Sequence, residues 1–119
     1  MKTRMIVAIA LIQFLAFTVH AQEKKIKKYC EISFTAGIFA NNVKLNFGQN
    51  KQYSPIKDSL YVRKLKHVET LSNRISILNY MSKLGWKYIE TTSSFKGEPS
   101  TVLLSKEFDP SELDPSEIE

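Results

Sequence analysis

NYMSKLGWKYIETTSS, residues Asn79 to Ser94, contains the only Trp of the 119-residue chain, placed directly after a Gly and a run with helical spacing. Upstream, Val68, Leu71, Ile75, Leu78, Met81 and Leu84 recur every three or four residues, which puts them on one stripe of a helix. Thr70 or Ser72 can cap its start, because a short hydroxyl side chain accepts from the unpaired amides of the first turn. Gly85 suits the left-handed backbone that commonly closes a helix. Downstream, WKYIETTSSF is rich in aromatic and β-branched residues, a strand signal. The stretch therefore predicts a helix, a glycine stop and a strand, with Trp86 packed at the corner.

Working outward, KGEP at 96–99 is a turn, and STVLLSKEF at 100–108 is a final strand. Towards the N-terminus, Cys30, Ile32, Phe34, Ala36 and Ile38 alternate with Glu31, Ser33, Thr35 and Gly37, the period of a strand with one buried face. Val43, Leu45 and Phe47 alternate with Lys44 and Asn46 in the same way. A two-residue turn at Asn41-Asn42 would set Ile38 opposite Leu45, Ala36 opposite Phe47 and Ala40 opposite Val43, with every apolar side chain on one side; Asn tolerates the positive φ such a turn needs. Residues 48–67 hold no sustained period and read as a loop with a short edge strand near Leu60 to Leu65. The fold class expected is α+β, of order ββαββ: a mainly antiparallel sheet with one helix packed on one face and the other face wet.

The chain opens with Lys2 and Arg4, an apolar run from Met5 to Val19, and Val19-His20-Ala21, the pattern of a cleavable secretory signal peptide at 1–21. The run is shorter than the roughly 20 residues a membrane-crossing helix needs, and no later stretch is apolar enough to span. The expectation is an exported protein, periplasmic or secreted. Residues 22–106 make one small α+β domain, and 107–119 make an acidic tail. That tail repeats DPSE at Asp109 and Asp114 and has six acids and no base, which favours disorder. Gln22 to Lys28 reads as a flexible basic leader. A net charge of +5 for the whole chain thus hides a body of +9 beside an acidic end.

The chemistry of the mature chain is sparse. Cleavage leaves His67 as the one histidine and Cys30 as the one cysteine, so no zinc spacing and no internal disulfide can form. Four glycines include no phosphate-cradling array, and the acids of the body are scattered. No cofactor or metal is implied, and no catalytic constellation is legible. The expectation is a non-enzymatic interaction module, its partner an unknown protein or an anionic envelope polymer. The alternative is binding of an anionic glycan or lipid surface through a basic loop, with Lys51, Lys57, Arg63, Lys64 and Lys66 as candidate ligand-binding residues and Trp86 as a candidate platform. Nucleic acid fits less well, since the first strand offers only Tyr29 as an outward aromatic where single-strand binders stack successive bases. Edge strands of a small sheet can also pair with a second copy.

Leu78, Asn79, Tyr80, Met81, Gly85, Trp86, Tyr88 and Ile89, with the opening YCEI at 29–32, resemble a family of small exported bacterial domains of unknown function. In these, a short helix runs into Gly-Trp, an aromatic and branched strand, a turn, and a last strand ending near a basic residue. The resemblance implies a small α+β fold and supplies no activity, ligand or catalytic residue.

Overall fold

A computed structural model describes residues 24–36, 41–92 and 100–118. The expected signal peptide, Ile38, Ala40 and the turn at 96–99 lie outside the described residues. Four strands form one antiparallel sheet: β1 (Ile26–Ala36), β2 (Asn41–Asn46), β3 (Lys87–Thr92) and β4 (Ser100–Phe108), in the order β2-β1-β4-β3. Among the described residues, two helices, α1 (Ser59–Lys66) and α2 (Arg74–Lys83), are joined by a 3₁₀ turn at His67–Thr70. The α+β class is as the alternation and the helical stripe imply, and both outer hairpins are present.

The sheet buries the side chains that alternation assigns to one face: Cys30, Ile32, Val43, Leu45, Val102, Leu104 and Phe108. Leu65, Val68, Ile77 and Met81 from the helical layer close over them, joined by Phe47, Ile56, Trp86 and Leu113. Each such side chain, fully removed from water, is worth about 1.5–3 kcal/mol. This shared layer is the main source of stability in a chain without a disulfide.

Four expectations are corrected. The β1–β2 register pairs Ile32 with Leu45 and Phe34 with Val43, so Asn41 and Asn42 lie inside β2 opposite Ala36 and Thr35 and do not form the turn. The shift is even in residue number, so it keeps every apolar side chain on the same face, and patterning alone does not separate the two registers. Second, residues 59–66 form α1, not an edge strand. Asp58 caps it, its Oδ1 accepting from the amides of Leu60 (3.0 Å) and Tyr61 (3.2 Å). Only eight residues long, α1 gains its stability from packing Leu65, Tyr61 and Val62 against the core.

Third, the main helix starts at Arg74, capped by Asn73, whose Oδ1 accepts from Ile75 (2.9 Å) and Ser76 (3.2 Å). Thr70 and Ser72 are not its caps. Leu71 is extended, which breaks the stripe: Ile75 is 64% exposed while Ile77 is fully buried. Fourth, both ends are tied to the body. Ile26, Lys27 and Lys28, expected in a leader, pair with Phe108, Glu107 and Lys106 in the sheet. The acidic segment folds back through 3₁₀ turns at Pro110–Glu112 and Pro115–Glu117. Leu113 is completely buried and bridges Ile56, with Lys57 N donating to Glu112 O (3.0 Å) and Asp114 N to Pro55 O (2.9 Å).

Candidate binding site

The corner after α2 follows from its last turn. Gly85 takes φ +95°, its amide donating to Ser82 O and that of Trp86 to Met81 O, both at 3.0 Å. These bonds satisfy helix-end carbonyls that would otherwise face no donor. They also turn Trp86 inward, where it is 3% exposed and meets the Phe108 ring edge-on at 5.8 Å. Tyr61 reaches the same ring edge-on at 6.2 Å, and its hydroxyl donates to Leu84 O at 2.8 Å. Burial raises the Tyr61 phenol above its usual range, partly offset by the Trp86 indole N–H. The buried indole nitrogen has no hydrogen-bond partner among the described residues, and acts on the Tyr61 oxygen as a neighbouring dipole. Trp86 is a core residue, as the corner reading implies, and no ligand platform.

The sequence candidates in the loop and α1 are only partly gathered. Lys51 and Lys66 border a shallow depression of about 250 Å³ with Tyr53 and Val62; Lys57, Arg63 and Lys64 do not line it. Lys57 instead lies near Asp114, whose carboxyl is held low first by hydrogen bonds from Ser116 and then by Lys57. His67 Nδ1 sits 3.3 Å from the Thr70 hydroxyl, which donates to the His67 carbonyl at 2.7 Å, and its ring tilts against Tyr80.

A different set of lysines meets at the corner. Strand pairing places Lys27 opposite Glu107, and Ser105 between Tyr29 on β1 and Lys87 on β3. Since Cys30, Ile32, Leu104 and Phe108 face the core, Lys27, Tyr29, Ser105 and Glu107 stand on the sheet's open face. Lys106 points to the helix side, but at the rim of the core layer. Its Nζ lies 4.2 Å from the Phe108 ring centre and 5.8 Å from that of Tyr61, an arrangement that favours the cation over the negative ring faces. Lys27, Gly85, Lys87, Ser105, Lys106 and Glu107 surround a cavity of about 190 Å³.

Three lysines and one glutamate thus line it, beside a serine that is only 8% exposed, with Lys106 Nζ donating to Glu107 O at 3.4 Å. Among the described residues the ion pair within 4 Å is Lys28–Glu117, so none of the three lysines at the cavity has a carboxylate partner. Such a site is suited to an anion that accepts from several ammonium donors. Alternation alone marks Lys27 as outward, but only the β1–β4 and β3–β4 pairings bring it to Lys87 and Lys106.

Among the described residues, no group of three or more His, Cys, Asp or Glu could hold a metal ion, and no helix is long and apolar enough to cross a membrane. No family model, no curated protein and no solved structure significantly matches the chain.

Proposed function

We propose that the protein is an exported, non-catalytic interaction module whose basic corner captures an anionic group, a phosphate, sulfate or carboxylate, on an envelope polymer or partner protein. The observation that supports this is the convergence of Lys27, Lys87 and Lys106 from three strands on one cavity, without an ion-pair partner among the described residues. Charge on scattered surface lysines is ordinarily solvated. Here the sheet register concentrates it. Export is the reading of the N-terminal sequence, and the absence of turnover is part of the proposal.

The test is a titration of the protein, recovered after export from cells expressing the full chain, with inorganic polyphosphate. K27Q/K87Q/K106Q is expected to weaken binding at least about tenfold, equivalent to about 1.4 kcal/mol, and salt should weaken the wild type. K51Q/K64Q/K66Q removes the same charge from the basic loop. If that variant loses as much as the corner variant, or more, the loop is the binding surface and the corner proposal fails. Turnover in a broad hydrolase panel would overturn the non-catalytic part.

A further inference from the structure

Tyr29 stands on the open face beside the basic cavity and is 54% exposed, with no hydrogen-bond or ring partner among the described residues. Its cross-strand neighbour Ser105 lines that cavity. Tyr29 itself lines a second depression of about 290 Å³, bordered also by Glu31, Asn46 and Leu103. The aromatic ring is therefore a ridge between a basic hollow and a neutral-to-acidic one. From the row of Lys27 to the row of Glu31 is four residues of strand, about 13 Å at 3.3 Å per residue.

We infer that this track binds an anionic oligosaccharide in which an acidic sugar adjoins a neutral one, an inference that rests on the anion-binding reading of the basic corner. The carboxylate or sulfate of the acidic sugar occupies the lysine cavity. A pyranose ring has one face of C–H groups and a rim of hydroxyls; the C–H face lies on the Tyr29 ring and the rim meets Glu31 and Asn46. Asn46 is pre-oriented, its Oδ1 already accepting from Gly48 N at 2.9 Å, which leaves its amide N–H₂ to donate. The Glu31 carboxylate accepts from hydroxyls and repels a second anion, so it selects a neutral sugar beside the acidic one.

The same face disfavours two other polyanions. One outward aromatic does not provide the successive stacking that single-stranded nucleic acid uses. The aliphatic side chains near it are the half-buried Leu103 on β4 and Ile89 on the edge strand β3, 43% exposed, two single side chains with too little apolar area to enter a lipid surface.

Four probes separate these cases: a hyaluronan hexasaccharide, whose acidic and neutral sugars alternate, inorganic polyphosphate, a single-stranded oligonucleotide, and phosphatidylglycerol vesicles. The expected result is that hyaluronan binds most tightly and that Tyr29→Ala weakens it about tenfold, a loss equivalent to about 1.4 kcal/mol. The same substitution should leave polyphosphate within about twofold, and Tyr29→Phe should retain hyaluronan binding, because the ring rather than the hydroxyl carries the contact. Near-ultraviolet circular dichroism verifies that both variants are folded. Tyr29→Ala that weakens hyaluronan and polyphosphate equally, or neither, overturns the inference. So does tighter binding of the oligonucleotide or the vesicles. Lysine-dependent polyphosphate binding without hyaluronan binding leaves the basic corner standing and rejects the saccharide track, whereas no binding of any anion rejects both.

Discussion

The side chain of Lys106 lies over the backbone of Gly85, so closely that a Cβ at residue 85 would stand 2.8 Å from the Lys106 Cε. The glycine thus serves two ends: it supplies φ +95° to close α2, and it leaves room for the lysine to cross the helix end toward the cavity. Gly85→Ala is expected to destabilise the fold by about 1–2 kcal/mol, mostly through the left-handed backbone, since the lysine stem can bend away. Urea unfolding followed by Trp86 fluorescence measures it. A change below about 0.3 kcal/mol would show that residue 85 is not held in that conformation.

Leu113 is fully buried against Ile56, so the acidic segment contributes to the core rather than trailing from it. Leu113→Ala should cost about 2–4 kcal/mol, a large share of the stability of a small domain. Equilibrium unfolding decides the matter: an effect near zero would mean that the segment does not dock.

The same segment is fastened by Glu117, which accepts from Lys28 Nζ and from the Tyr53 hydroxyl, each at 2.5 Å. The Lys28 bond, then that of Tyr53, holds the Glu117 carboxyl below its ordinary value of 4.5. A carboxyl whose folded pKa is depressed stabilises the fold above its unfolded pKa, and that stability is lost as pH falls through the folded value. Stability should therefore decline below about pH 4.5 with a component that Glu117→Gln lacks. For a partly solvent-accessible pair the component is at most about 1 kcal/mol. Parallel acid profiles for wild type and variant would contradict it.

Cys30 shows the opposite sign. Burial, and then the charge of Glu31, push its thiol from 9.0 up to about 12. The unfolded thiol ionises near pH 9 and the folded one only near 12, so stability should fall as pH rises from 9 towards 12. Cys30→Ala should flatten that alkaline slope, at the cost of a small cavity. In the wild type, modification by a thiol reagent at neutral pH should keep pace with unfolding; fast labelling of the native protein would refute the burial.

What sequence alone settles here is whatever is local or periodic. Period-two alternation assigns Cys30, Ile32, Val43 and Leu45 to one face, and the last strand spans Ser100–Phe108, the segment read as the final strand. The Gly85-Trp86 corner is legible because a left-handed helix stop has few chemical solutions. Partner-dependent features are not legible. The hairpin register is one, since an even slip preserves the pattern; α1 is another, being too short to form without the core it covers. The acidic segment reads as disordered because its composition is polar, yet Leu113 packs against Ile56 while Pro55, Lys57, Lys28 and Tyr53 bond to it, partners that lie far off in sequence. The basic corner belongs to the same class: Lys27, Lys87 and Lys106 are far apart along the chain, and only the antiparallel pairing of three strands brings them to the lining of one cavity, because proximity in a sheet is set by register and not by sequence distance.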